Sequence, residues 1–361
     1  MAYSDIKDPS AHFQTALYAG NNTTDHNIAN DGNSDLQPDF VWIKQRNSNN
    51  PHTVQDTSRG FAGNGEVNLL IPNTNGAEVT NGAFESFNTN GFGVGGTNVA
   101  SGAYNLSGSN YVAWQWKANG GTTSSNTDGT ITSTVQANTT SGFSIVTYTG
   151  NATNNATVGH GLGAALSVLI IKDLTDGSVW GVWHKDLTNA GYRLTLSTDG
   201  AQTNDSGFMG GGNTTLPTSS VFSLGAGGGG NGTNAYIAYC FAEKQGYSKF
   251  GKYIGNGSQN GPMVYTGFKP AFVIMKRTDN TGAWHLFDNK RSGYNYANDV
   301  LQPQVGDAEL SGQTYQFVDF LSNGFKVRRA THGPNISGGA YIYMAFAENP
   351  FVAGGIPTTA R

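Results

Sequence analysis

The chain has 361 residues, of which only 12% are charged, and its formal net charge at pH 7 is −4. Charged residues reach about half of their usual share of about 25%, whereas glycine contributes 51 residues, a composition that favours turns and strands over helices. Because no Lys and Arg cluster resembles a phosphate-binding surface and no apolar run is long enough to span a membrane, we expect neither nucleic-acid binding nor membrane insertion.

The N-terminal segment and the single cysteine indicate where the chain is made. The segment MAYSDIKDPSAHF has neither the basic nor the apolar region of a signal peptide, so we expect synthesis in a cytoplasm. Cys240 lies inside an apolar run, so we expect a buried thiol and no disulfide.

A first β unit is predicted over residues 1–118, with a short N-terminal arm. Its landmarks are a Tyr-x-Gly-Asn motif that starts at Tyr18, the apolar run PDFVWIK that ends at Lys44, and the aromatic run NYVAWQWKA around Trp116. Short runs of β-branched and aromatic residues between Pro, Gly and Asn are typical of buried strands. Residues 119–141 are rich in Ser, Thr and Gly and predict a linker, within which TITSTVQ is long enough for a docking strand.

A second unit is predicted over residues 142–243 and a third over 244–349, followed by a tail at 350–361. The same landmarks recur in both units, at Tyr148, Lys172 and Phe241 and at Tyr253, Lys276 and Phe346. From the Asn of the motif to the Lys there are 23, 21 and 20 residues, and from the Lys to the closing aromatic residue 72, 69 and 70. We therefore predict an all-β protein of three tandem repeats, each a β-sandwich or jelly-roll-like unit, with the closing aromatic residues in the core.

Polar residues that recur after the apolar run of each unit are the first candidates for chemistry: His52, Asp56 and Arg59; His184 and Asp186; His285, Asp288 and Arg291. A His oriented by an Asp could act as a general base, a metal ligand or a ligand contact. Three copies of one cluster are also what a structural ion pair would give. Both interpretations stay open, and we predict no catalytic, metal-binding or cofactor-binding residue.

Aromatic residues are candidates for sugar binding, because an exposed ring can cover the apolar face of a pyranose. Trp114 and Trp116 lie in an apolar run and are predicted to be core, whereas Trp180 and Trp284 lie beside variable segments and are predicted to be exposed. Glycoside hydrolysis would need two facing carboxylates. Glu243 and Glu348 end matching strands, a position at which a polar cap is the simpler interpretation.

Eight segments together carry a resemblance that covers nearly the whole chain: PDFVWIK, HTVQDTSRG, YVAWQWKA, GFSIVTYTGN, AYIAYCFAE, GPMVYTGFKPAFVIMKRTD, LSNGFKV and YIYMAFAENPF. They resemble a family of virion surface proteins of marine tailed bacteriophages that carry this repeated β domain and are often labelled tail-fibre-like. The resemblance implies a virion protein made in the host cytoplasm. It implies no catalytic or binding residue by position.

We therefore expect a non-enzymatic virion structural protein exposed on the particle surface, a tail-fibre-like adhesin whose loops contact a host receptor or polysaccharide. The alternative is a capsid or tail decoration protein that stabilises the particle, and a polysaccharide-degrading enzyme is the third candidate. The expected partners are other virion proteins, further copies of this chain in a homo-oligomer, and the host surface. No cofactor is expected.

Overall fold

The computed structural model describes residues 4–95, 102–205, 207–210, 215–227, 229–312, 318–330, 333–350, 352–353 and 356–357. The chain is all-β over these residues, which confirms the predicted fold class. Helical structure in the described part is limited to the 3-10 turns Pro9–Ala11 and Gly333–Asn335, and no described helix is long and apolar enough to cross a membrane.

The described strands follow one another in the order of the predicted units. Those of the first unit are β1 (Phe13–Ala19), β2 (His26–Ile28), β3 (Phe40–Gln45), β4 (Thr53–Asp56), β5 (Val67–Leu70), β6 (Val79–Asn81), β7 (Phe84–Asn88), β8 (Gly91–Val94) and β9 (Asn110–Trp116). Next come β10 (Ser124–Asn126), β11 (Ser133–Asn138), β12 (Phe143–Thr149), β13 (Ala156–Gly159), β14 (Val168–Asp173), β15 (Gly181–His184), β16 (Tyr192–Thr195), β17 (Thr203–Asn204), β18 (Val221–Leu224) and β19 (Ala235–Phe241). The last are β20 (Ser248–Ile254), β21 (Met263–Tyr265), β22 (Phe268–Arg277), β23 (Trp284–Asp288), β24 (Val318–Leu321), β25 (Gly324–Val327), β26 (Ala340–Pro350), β27 (Val352–Ala353) and β28 (Ile356–Pro357).

One order of strands recurs in three large antiparallel sheets. It is β1-β9-β3-β4 in the first unit, β12-β19-β14-β15 in the second and β20-β26-β22-β23 in the third. A smaller sheet accompanies each of them, in the orders β2-β8-β7, β13-β18 and β21-β25-β24. Apolar side chains of the large and the small sheet meet in a separate core in each unit, so each unit is a two-layered sandwich.

Alternation along the strands explains why the apolar runs are continuous rather than alternating with polar residues. In β3, Val41 and Ile43 face the core of their own unit, whereas Phe40 and Trp42 face a second core. That second core contains residues of all three units. A strand with both faces buried has no polar face, which is what the sequence PDFVWIK displays.

The shared core is where the outer faces of the three large sheets meet. Trp116, Phe241 and Phe346 all lie in it with at most 5% of their surface exposed, which confirms their predicted burial. The ring centroid of Phe346 lies 5.4 Å from that of Trp116 and 5.8 Å from that of Phe241. The units therefore converge on one centre rather than forming a string.

The segment between the first two units contributes to the sheet. Residues 119–141, which we predicted as a linker, contain β10 and β11, and β11 pairs antiparallel with β12 along its whole length. The docking strand considered for this segment is therefore present. The small β27 and β28 pair belongs to the tail predicted over 350–361, most of which lies outside the described residues.

Candidate sites at the interfaces between units

The turn that follows β4 holds a buried ion pair. Asp56 Oδ1 accepts the backbone N–H groups of Ser58 and Arg59, and its Oδ2 accepts Arg59 Nε at 2.6 Å. Both side chains are at most 3% exposed. Tyr239 of the second unit donates its hydroxyl to the same Oδ2 at 2.8 Å. The pair predicted from the sequence thus lies against a neighbouring unit and is covered by it.

The third unit repeats this arrangement with a different donor. Asp288 Oδ2 accepts Arg291 Nε, and Trp114 of the first unit donates its Nε1 to the same oxygen at 3.0 Å. Arg291 also donates to Glu309 at 2.8 Å. Burial by itself would raise the pKa of Asp288, but the charge of Arg291 and the hydrogen bonds outweigh it and hold this pKa below its usual value.

In the second unit a histidine replaces the aspartate. His184 lies opposite Val168 in the ladder, as Asp56 lies opposite Phe40 in the first unit. Its Nε2 donates to the carbonyl of Tyr343 in the third unit at 3.2 Å, while its Nδ1 accepts the backbone N–H of Asp186 at 3.1 Å. Burial lowers the pKa of His184 to about 4, so the ring is neutral at pH 7.

These three contacts run in one direction around the shared core. Trp114 of the first unit reaches the third, Tyr239 of the second reaches the first, and the Tyr343 carbonyl of the third reaches the second. The equivalent residues Asp56, His184 and Asp288 therefore each join their own unit to a neighbouring one. Sequence reasoning identified the residues at this position but missed their partners in the neighbouring units, which lie in the aromatic runs.

The predicted grouping of His with Asp and Arg is wrong for His52 and His285. His52 accepts Trp42 Nε1 at 3.0 Å, and neither histidine hydrogen-bonds to the aspartate of its own cluster. Their spacing to the aspartate differs by one residue, which places the two rings on opposite faces of equivalent strands. Burial lowers the pKa of His285 to about 4 and that of His52 well below its usual value.

The predicted exposure of Trp180 and Trp284 is also wrong, because each is only 2% exposed. Trp180 Nε1 donates to the carbonyl of Ile71 in the first unit at 3.2 Å, and Trp284 Nε1 donates to the carbonyl of Thr195 in the second at 3.1 Å. Proximity to variable segments was a poor guide, since each ring lies at or directly before the start of a strand and contacts the preceding unit.

The lysine that ends each apolar run is buried and donates to backbone carbonyls. Lys172 Nζ reaches the carbonyl of Asn75 in the first unit at 3.4 Å, and Lys276 Nζ reaches that of Asp199 in the second at 3.2 Å. Burial lowers the pKa values of Lys44, Lys172 and Lys276 to about 8.

These lysines predict that the protein becomes more stable as pH rises from about 8 to about 9. Over this window the unfolded lysines, with a pKa near 10.5, bind more protons than the folded ones, so the free energy of unfolding increases. Urea denaturation across the window should show this slope, and Lys172→Met should reduce it. Both proteins should carry Cys240→Ala, because burial raises the pKa of that thiol and opposes the effect. The window ends near pH 9 because burial also raises the pKa values of tyrosines such as Tyr148 and Tyr253, which lowers stability at higher pH. An equal slope in the two proteins would contradict the prediction.

Two tyrosines in the third unit are exposed on a long connection. Tyr294 is 82% exposed and Tyr296 is 52% exposed, in the segment between β23 and β24. The guanidinium of Arg328 lies 5.8 Å from the ring centroid of Tyr296. Sequence reasoning missed them, although the polar context KRSGYNYAND, with no apolar run around the rings, is a signal of exposure.

The remaining features of the described residues offer little for chemistry. No group of three His, Cys, Asp or Glu side chains in that part of the chain is placed to hold a metal ion. Glu243 and Glu348 each pair with a lysine, Lys249 and Lys269. A cavity of about 40 Å³ at the centre of the shared core is lined by apolar surface, so it has no partners for a polar ligand.

Comparison with known proteins gives one match. A family model described as a domain of unknown function, DUF7483, matches residues 8–350, which include all three units. No curated protein and no solved structure matches the chain.

Proposed function

The chain belongs to the DUF7483 family, whose function is unknown, and we propose that it is a surface protein of a phage particle whose loops contact host polysaccharide. The observation that carries this proposal is a division of roles between side chains. Asp56, His184 and Asp288 are buried between units, whereas the accessible tyrosines lie on a long connection. The resemblance of the sequence to tail-fibre-like virion proteins supports the phage context.

The buried contacts favour a rigid scaffold over a catalytic centre. Asp56 and Asp288 are each at most 1% exposed, and their carboxylates are occupied by an arginine and by a donor from a neighbouring unit. His52, His184 and His285 are buried and neutral at pH 7. A general acid or base must reach the substrate, which these groups cannot do while the units are packed together.

The exposed tyrosines favour carbohydrate as the contacted surface. A tyrosine ring offers a flat apolar face and a hydroxyl, and fixing its two side-chain torsions loses little entropy. Tyr294 and Tyr296 lie two residues apart on a connection that is anchored by the hydrogen bonds between Asn295 and Phe320. Such contacts are weak singly, but many copies on one particle would raise the effective concentration and the avidity.

An adsorption assay tests the proposal. Purified protein should compete with particles for host cells and slow adsorption, and Tyr294→Ala should weaken this competition by up to about tenfold, which is about 1.4 kcal/mol and within the range of an aromatic contact. Leu216→Ala is the matched control, because Leu216 is 58% exposed and belongs to the second unit.

Two outcomes would contradict the proposal. Equal competition by the Tyr294→Ala protein and the wild type would exclude this connection as the contact. Particles that lack the protein, adsorb normally and burst more readily would show that decoration of the particle is its role instead.

A further inference from the structure

A polar cleft of about 310 Å³ lies between the first and third units. Its floor is formed by β1 at Thr15, one wall by the loop at Asp31 and Asn33, and the other by Lys290 and Glu348 of the third unit. We propose that this 1–3 cleft binds one neutral sugar ring. The proposal rests on the proposed function, since it names the site at which the chain would hold part of a host polysaccharide.

The arrangement of the units explains why a cleft exists here. At the equivalent place between the first and second units, Gln136 of β11 fills the space and bonds to Thr57 and Ser58. Between the second and third units the short turn from β19 to β20 fills it, and Glu243 accepts the backbone N–H of Phe250. In the part of the chain that the structure describes, no connecting segment runs through the third interface, which joins β1 to the end of β26.

An unused hydroxyl in the floor points to a polar ligand. Thr15 is only 4% exposed, and its Oγ1 has no hydrogen-bond partner among the described residues. A buried hydroxyl without a partner is unfavourable, and a ligand hydroxyl in the cleft could supply the missing bond. The equivalent positions in the other units are Ile145 and Phe250, which have no such group.

The charges of the cleft favour a neutral ligand. Lys290 Nζ lies 2.9 Å from both carboxylate oxygens of Asp31, across the mouth between the two units. Glu348 accepts Lys269 Nζ at 3.1 Å and Asn289 Nδ2 at 2.7 Å. Each carboxylate is therefore paired with an ammonium group, so a phosphate or a metal ion would meet groups that are already neutralised.

The size and lining of the cleft agree with a single sugar ring. Its volume is at the lower end of the range of about 300 to 1,000 Å³ for small-molecule sites. Carboxylate oxygens accept sugar hydroxyls, and amides such as Asn33 both donate and accept. An apolar ligand would leave the Thr15 hydroxyl and the Asn33 amide without a ligand partner, so the lining disfavours an apolar ligand.

The test is calorimetric titration of the full chain with D-glucose, D-galactose and N-acetyl-D-glucosamine, and with the charged comparators D-glucuronate and D-glucosamine. At least one neutral sugar should bind more tightly than either charged one. Thr15→Val keeps the shape and removes a hydroxyl without a protein partner, so the melting temperature should hold while the Kd rises by about threefold to tenfold. Ser141→Ala, which removes another buried hydroxyl without a partner, is the control and should leave the Kd unchanged.

Asn33→Ala is a second variant on the exposed wall of the cleft, where folding is not at stake, and it should also weaken binding. The proposal is overturned if none of the neutral sugars binds, or if binding is the same in both cleft variants as in the wild type. Host polysaccharide bound by the wild type and by Thr15→Val alike would overturn the cleft and leave the proposed function in place. Loss of sugar binding in Thr15→Val, combined with failure of the wild-type protein to compete for adsorption, would support the cleft and overturn the proposed function.

Discussion

Replacement of Phe346 by alanine is expected to lower the free energy of unfolding by about 3 to 5 kcal/mol, the usual range for a fully buried phenylalanine. The ring is 1% exposed and contacts the rings of Trp116 in the first unit and Phe241 in the second. Removal of the ring leaves a cavity at a point where the three units meet, so relaxation of one unit alone does not fill it. Urea denaturation measures the change.

The matched control is Phe61→Ala, because Phe61 is 40% exposed and should lose much less. The Phe346→Ala variant also tests whether the shared core makes the three units unfold as one cooperative unit. A single unfolding transition that moves as a whole is expected in the variant. An unchanged midpoint, or separate transitions for separate units, would contradict the shared core.

Replacement of Asp288 by alanine is expected to destabilise the protein by about 3 to 5 kcal/mol, because it leaves the guanidinium of Arg291 buried with one carboxylate fewer. Both side chains are completely buried, and Trp114 of the first unit loses its acceptor in the same step. Glu309 remains as a partner of Arg291, which places the result towards the lower end of that range. Thermal or urea unfolding of the two proteins gives the comparison.

Asp279→Ala provides the control for this pair. Asp279 also pairs with an arginine, Arg277, but its side chain is 38% exposed, so the loss should be about 1 kcal/mol or less. Losses of equal size at the two aspartates would mean that the Asp288 pair is not buried as described.

The all-β class and the burial of the closing aromatic residues could be predicted from the sequence, because both depend on local pattern. Runs such as FVWIK predict strands by residue type alone, and Trp116 follows from its place in an apolar run. The meeting of the three large sheets could not be predicted, since spacing along the chain does not say which faces touch. One signal was present: Phe40 and Trp42 alternate with Val41 and Ile43, so both faces of that strand had to be covered.

The candidate sites were harder to predict for physical reasons. A one-residue difference in spacing separates His285 from the position of His52, and in a strand that difference changes the face. Trp180 and Trp284 looked peripheral because their partners, Ile71 and Thr195, belong to other units. The 1–3 cleft joins segments more than 200 residues apart in the chain, which no local pattern can bring together.

We propose that the protein binds polysaccharide without cleaving it. Purified protein should be incubated with the surface polysaccharide of the host, with bound protein measured by co-elution and the polymer's chain length by size-exclusion chromatography with light scattering. We expect co-elution of the protein with a polymer whose length stays constant. Shortening of the polymer, abolished by Glu348→Gln, would contradict the claim and show an enzyme.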